Sequence, residues 1–251
     1  MRVARGVIVT AVSTRLRSIQ GETQLALRDG KAPRRRCDDG GMQSIDPFSR
    51  RSLALYSAAL IALLALSAWR PYELVTWAME VAPVVVVLAI LWATHRRFPL
   101  TPLLYALIFV HACVLMLGGH YSYARVPLGD WLREGFGLAR NPYDGIGHFA
   151  QGFIPAIAAR ELLLRHTRLE RGAWLFVVVT AVCLAVSAIY ELIEWGAAVA
   201  LGQGAEEFLG TQGDPWDTQK DMALAWIGAM VAQWLLARWH DRQLRTLPRP
   251  V

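Results

Sequence analysis

Asp144, His148, Glu191, Glu194, Asp214, Asp217 and Asp221 fall at the ends of three apolar segments. If those segments cross a bilayer, up-and-down counting brings all three ends to one side. Ionisable groups within a membrane span are costly, so they tend to mark a site. Glu191 and Glu194 are three apart on one helical face, with Ser187 a turn earlier. Two close carboxylates repel unless a proton, a cation or an arginine stands between them. The plain alternative for this pair is partnership with Arg140 or Lys220.

The segments bearing Asp144 and Asp217 open alike, Asn141-Pro142-Tyr143-Asp144 and Asp214-Pro215-Trp216-Asp217. Asn or Asp followed by Pro reads as a helix start, the first residue capping and Pro taking the first helical position. Asp144 and Asp217 then sit in the first turn, where a carboxylate favours the positive helix end. Capping accounts for those four residues. It does not reach His148 and Asp221, each four residues further on and so about 6 Å deeper along its helix.

One imidazole among carboxylates is an oxygen-rich donor set that suits Mn, Zn or Mg, with Ca less apt. The expected ligands are Asp144, His148, Glu191, Glu194, Asp217 and Asp221. The same groups, His148, Glu191, Glu194 and Asp221, are the candidates for catalysis, with His148 as general base. There is no His-Glu-x-x-His, Cys-x-x-Cys, P-loop or Gly-x-Ser-x-Gly motif. The signal lies in the convergence. Glu80 could join from the side, and His120 and Tyr121 could cover the site. His111 reads as an interhelical bond, and Arg160 with Glu161 as a snorkelling pair.

The elements that must position these groups are membrane helices. The chain has 251 residues, of which 55% are hydrophobic, and they come in blocks. A spanning helix needs about 20 mostly apolar residues, and six blocks qualify, near 53–69, 73–94, 101–119, 142–164, 173–196 and 218–238. The expected fold is an all-α, polytopic helical bundle of about six transmembrane helices. The net charge of +6 is not a nucleic-acid signal, because it is laid out as a topology signal. Arg34 to Arg36, Arg50, Arg51, Arg96, Arg97, Arg165, Arg168, Arg171, Arg238, Arg242, Arg245 and Arg249 all fall on one side after six crossings. Cytoplasmic loops carry such an excess, so both termini are expected in the cytoplasm. The opposite side holds Arg70, then Arg125, Arg133 and Arg140 offset by Asp130 and Glu134, and its last loop is acidic with Glu206, Glu207 and Asp214, which places the acidic cluster outward. Trp69, Tyr72 and Trp77 outside, and Trp174 and Trp239 inside, read as interfacial belts.

Residues 1–47 are polar and Arg-rich and read as a disordered basic extension, with Met42 as an alternative start. Residues 48–240 are the membrane domain and 241–251 a short basic tail. Arg50-Arg51 ahead of the first span suits a retained anchor rather than a cleaved signal. The long link 119–141 reads as a cap over the site or a segment resting on the headgroups. Cys37, Cys113 and Cys183 are odd in number, and two lie within spans, so no disulfide framework is indicated.

Four stretches are familiar together: Gly118 through Asp130, Asn141 through Gly152, Tyr190 through Trp195, and Gly210 through Met222. In that order they resemble the YjdF-type bacterial inner-membrane proteins, over roughly 50–240. The resemblance implies a multi-pass inner-membrane protein and carries no activity with it. A looser likeness is to VanZ-like membrane proteins, with Asp144, His148, Phe149, Glu191, Glu194, Asp217, Asp221 and Gly228 as counterparts. Here Glu194 stands where that group often has Gln, and Asp221 where it often has Asn.

Three functions are compatible with the sequence. The leading expectation is a non-catalytic, envelope-associated membrane factor whose acids fasten the bundle. The second is a metal-dependent or general-base membrane enzyme acting on a lipid or envelope precursor. The third is a small proton- or cation-coupled transporter, ranked lower because the sequence offers no second polar cluster for the inner half. Membrane lipids are the expected surroundings in each case.

Overall fold

The computed structural model describes residues 48–201 and 212–247. The expected extension 1–47, Cys37 and the acidic pair Glu206 and Glu207 lie outside them. The described residues form seven α-helices and one short 3-10 turn, with no strand. They are α1 (Arg50–Ser67), α2 (Leu74–Thr94), α3 (Pro102–Tyr121), α4 (Pro127–Phe136), α5 (Tyr143–His166), α6 (Ala173–Leu201) and α7 (Asp217–Leu244); the 3-10 turn is Tyr123–Arg125.

Several helices start where a side chain satisfies orphan backbone donors. Ser49 accepts from the Ser52 amide, and Thr101 accepts from Leu104 with Pro102 in the first turn. The starts of α5 and α7 differ from expectation. Asn141 and Asp214 do not cap in the usual register; each side-chain oxygen instead accepts from the amide two residues on, Tyr143 at 3.0 Å and Trp216 at 3.0 Å. Asn and Asp readily form such local turns. The helices therefore begin at Tyr143 and Asp217, later than proposed from the sequence, and Asp217 is the first residue of its helix.

Among the described residues five helices are long and apolar enough to cross a membrane: α1, α2, α3, α6 and α7. The sixth expected span, α5, is not among them by composition. It carries Asp144, His148, Gln151, Arg160, Glu161, Arg165 and His166. Its 24 residues still reach about 36 Å, beyond the roughly 30 Å hydrocarbon core. The physical reason is position: α5 packs on α3, α6 and α7. A helix enclosed by protein need not present an apolar face to lipid, so it can hold the polar groups.

Two cores meet at α3. On one side Leu104, Ala156, Ile157, Val179, Cys183, Ala229 and Ala232 are buried between α3, α5, α6 and α7. On the other, Leu60, Val81, Val84, Ala112 and Met116 are buried between α1, α2 and α3. Outward positions such as Leu55, Val86, Ile189 and Leu192 are exposed, as helices bathed in lipid require. Trp69, Tyr72, Trp174 and Trp239 are exposed near helix ends, whereas Trp77 is half-buried and donates its indole N–H to Ser67 at 3.1 Å. Cys113 and Cys183 are free thiols, the second fully packed in the core.

The closest pairing is α5 against α7, and glycine allows it. A Cβ on Gly152 would collide with the Ala225 carbonyl, and one on Gly228 with the Phe149 carbonyl. Small residues let membrane helices approach to backbone contact, where packing rather than the hydrophobic effect holds them. Gly152→Ile and Gly228→Ile are each expected to abolish the monodisperse peak in detergent size-exclusion chromatography. Gly135→Ala, where an added Cβ meets nothing within 4 Å, should leave it unchanged. Retention of the peak by both isoleucine variants would show that α5 and α7 do not cross there.

The link 119–141 holds structure of its own. Tyr123 and Val126 are buried against Tyr143, and Asn141 donates to the Val126 carbonyl at 3.1 Å. In α4, Leu128, Trp131 and Phe136 are exposed on one face while Asp130, Arg133 and Glu134 occupy the other. The last helix runs to Leu244, past the expected end at 238.

Candidate functional site

Close crossing of α5 and α7 sets the first turns of the two helices side by side. Asp144 and His148 lie one helical turn apart on α5, and Asp221 faces them from α7. One ligand atom from each of the three lies within 4.8 Å of the others. From α6, Glu191 approaches the imidazole. His148 is thus gripped from two sides: Nε2 is 3.6 Å from Asp144 Oδ1, and Nδ1 is 3.6 Å from Glu191 Oε1. Both separations are too long for hydrogen bonds.

All four side chains are buried, with 8% of Asp144, 6% of His148, 8% of Glu191 and 2% of Asp221 exposed. Each nonetheless holds a buried polar atom with no hydrogen-bond partner: Asp144 Oδ2, His148 Nδ1, Glu191 Oε1 and Asp221 Oδ1. Ser187 Oγ, a turn before Glu191, is likewise unpartnered. Buried polar groups are normally paired, and each exception calls for an explanation. Four of them at one spot, three belonging to carboxylates, describe a place short of positive charge.

The other expected ligands stand further out. Asp217 pairs with Arg140, which also lies 3.8 Å from Asp214. Lys220 pairs with Asp214, and that bond, with the Trp216 amide, holds the Asp214 carboxyl below the usual carboxylate range. Arg140 and Lys220 are therefore bound to the outer acids, not to Glu191 or Glu194, contrary to the plain alternative above. Glu194 is buried and lines the same cavity as Asp144 and His148, without joining the close group. Glu80 comes in from α2, 3% exposed, and accepts from the Tyr190 hydroxyl at 3.1 Å. His120 is tied to the Ser67 carbonyl at 2.8 Å. His111 makes no interhelical bond through Nε2, which is buried without a partner at the cavity wall.

A second polar cluster lies at the other ends of α5 and α7, and sequence reasoning missed it. Glu161 and His240 are fully buried. Glu161 accepts from the Thr101 hydroxyl at 2.8 Å, from Arg165 at 2.8 Å and from His240 Nε2 at 3.0 Å. Arg160 donates to His240 Nδ1 at 3.0 Å and to Asp241 at 2.9 Å, and Arg171 also reaches Asp241. Arg160 is 4% exposed, so the snorkelling expectation for Arg160 and Glu161 is overturned: α7 and the start of α3 cover both. The spacing of Glu161 and Arg165, four apart on one face, was the available signal; their link to His240 is long-range.

The two clusters differ in kind. The Glu161 network sets two carboxylates against three arginines and a histidine, and Arg165 Nη2 is its one buried side-chain atom without a partner among the described residues. The Asp144 cluster gathers carboxylates with no arginine or lysine ion-paired to Asp144, Glu191 or Asp221 among the described residues, although the charge of Arg140 also acts on Asp221.

Beside the Asp144 cluster runs a cavity of about 610 Å³. Its walls are α2, α3, α5 and α6, with Leu60 of α1, and almost all of its lining is apolar. Glu80, Asp144, His148, Tyr190 and Glu194 mark one end, and Phe98 and His166 the other.

With this geometry in hand, relatives are informative. The chain is 51% identical over 203 residues to the inner membrane protein YjdF of Escherichia coli (strain K12), covering 81% of this chain and 96% of that one. No solved structure matches. A family model described as predicted membrane protein (DUF2238) matches residues 52–242, which span all seven helices but for the ends of the first and last, and the chain belongs to that family.

Proposed function

We propose that Asp144, His148 and Asp221 hold one divalent cation of the Mn, Zn or Mg class, and that the protein is a cation-dependent membrane enzyme acting on a lipid or envelope precursor. The observation that carries this reading is the set of unpartnered buried atoms on Asp144, His148, Glu191 and Asp221. A cation would supply the missing positive charge and a partner for the Asp144 and Asp221 oxygens.

The imidazole geometry favours the same reading. Nε2 faces Asp144 and would share the ion with it, while Nδ1 faces Glu191. A carboxylate behind a ligating histidine fixes the ring and raises its basicity. Asp144, His148 and Asp221 leave positions open for water and substrate. A bound cation polarises a phosphoryl or carbonyl oxygen and acidifies its water. Glu194 and Glu80, close by and outside the ligand set, are the groups to take up the proton.

The non-catalytic reading loses ground because fastening is done elsewhere. The Glu161 network has the pairing expected of a structural lock, and the Asp144 cluster lacks it. A transporter gains a second polar cluster from the structure, but the cavity beside the Asp144 cluster is almost all apolar, with His111 and Gln151 the few polar groups along its length.

The basic ends of α2, α5 and α7 support a cytoplasmic placement of that side. The relative's inner-membrane location supports the same membrane for this chain. The site then opens outward. A reporter fused after Val251 is expected to be active only in its cytoplasmic format, and periplasmic activity would reverse the orientation. The cation itself is tested by elemental mass spectrometry of detergent-purified protein. About one transition metal per chain is the expected result. No retained metal, together with no thermal shift on adding Mg, Mn or Zn, would overturn the proposal.

A further inference from the structure

We propose that the apolar cavity is the seat of a lipid chain, and that the substrate is a phosphate-bearing amphiphile whose headgroup meets the cation. This rests on the cation site proposed above.

The cavity and the site are continuous. Glu80, Asp144, His148, Tyr190 and Glu194 belong to both. From that polar end the lining becomes mostly apolar, with Val84, Val87 and Leu91 from α2, Ile108 from α3, and Ile154 and Ala158 from α5, and with Gln151 and His111 the polar side chains among them. Measured along α2, the stretch from Glu80 to Thr94 is about 21 Å. One leaflet of hydrocarbon is about 15 Å deep, half the core. The groove is therefore long enough for a full lipid chain.

Its side faces the lipid. α2 packs on α1 and α3, whereas α6 packs on α5 and α7. Among the described residues one hydrogen bond, from Tyr190 to Glu80, joins α2 to α6. Below that bond a chain can enter sideways from the bilayer without leaving hydrocarbon. Phe98 and His166, their rings 4.5 Å apart, close the far end.

Charge selects the headgroup. Carboxylates alone would repel a phosphate. With a divalent cation between them the repulsion becomes a bridge, as cations do for phosphates elsewhere. The shape at the polar end thus calls for an anionic head with a long apolar chain, and a free phosphate would use only half of the site.

The test uses the full chain in amphipol with Mn, and compares dodecyl phosphate with inorganic phosphate. Dodecyl phosphate is expected to bind at least tenfold more tightly in the parent. Ala158→Phe, and independently Val87→Phe from the opposite wall, should each fill the groove and erase that preference while Mn stays at the parent's stoichiometry. Equal binding of the two phosphates by a parent that retains Mn would overturn the groove and leave the cation site standing. A preference for dodecyl phosphate that persists in both variants would also overturn it. A parent without Mn that still prefers dodecyl phosphate, with the preference lost in both variants, would uphold the groove and overturn the cation site.

Discussion

Asp221→Asn and His148→Ala are each expected to empty the cation site without unfolding the protein. Metal content should fall from about one per chain to below a tenth. Removing even an outer partner of a ligand typically costs 10- to 100-fold in metal affinity, so loss of a direct ligand should cost at least about a hundredfold. The folding consequence has a distinctive sign. In the metal-free protein Asp144, Glu191 and Asp221 crowd together with unpartnered oxygens. Like charges at such range oppose one another. Replacing Asp221 by Asn removes one of them, so in EDTA the variant should melt at or above the temperature of the parent. With saturating Mn the order reverses, because only the parent gains binding energy. Glu194→Gln, outside the close group, should lower metal content far less than Asp221→Asn. Melting curves with and without Mn, on protein that runs as a monodisperse peak, decide the matter. An Asp221→Asn variant that melts well below the parent in EDTA would mean that these acids fasten the bundle.

The opposite sign is expected at the other end of the molecule. Glu161→Ala should destabilise strongly, by about 3 kcal/mol or more, because breaking a buried pair leaves its partners unmatched. Glu161 accepts from Thr101, Arg165 and His240. Its removal strands a buried histidine and an arginine, and frees the start of α3 from α5 and α7. For a chain of this size that amounts to a melting point lower by roughly 6–12 °C, unaffected by Mn. His240→Ala should share the defect, since the Arg160 bond to Nδ1 and the Glu161 bond to Nε2 both run through that ring. The double variant should cost little more than the worse single one, as residues of one network are not additive. A Glu161→Ala protein that melts with the parent would show that the network carries no stability.

Together the two predictions separate what a polar cluster in a membrane bundle is for. The Glu161 network matches charge with charge and leaves one buried nitrogen, Arg165 Nη2, without a partner. The Asp144 cluster stacks charge of one sign and leaves atoms over. In one case removal of a carboxylate is expected to break a lock, and in the other to relieve a repulsion that the proposed cation would otherwise relieve.

Much of this was legible from residues alone. Blocks of apolar residues announced membrane helices because a spanning helix has no other way to satisfy lipid and its own backbone. The spacing of Asp144 to His148 and of Glu191 to Glu194 put each pair on one face, a consequence of helix geometry that needs no neighbour. What spacing could not give was partners. Only the Gly152–Ala225 and Gly228–Phe149 contacts bring α5 onto α7 closely enough for Asp221 to meet Asp144 and His148. The same crossing sends Asp217 to Arg140, and at the far end joins Glu161 to His240, residues 79 positions apart. Composition counted α5 among the apolar blocks without showing how it tolerates Asp144, His148, Arg160 and Glu161; its packing on α3, α6 and α7 supplies the reason. The sequence by itself determined a helical membrane protein with acids at shared depth. Which acids share a neighbour, which find a cation of the protein's own, and where a groove opens beside them were decided by tertiary packing, because charge pairing and cavities depend on distances between helices that no local pattern encodes.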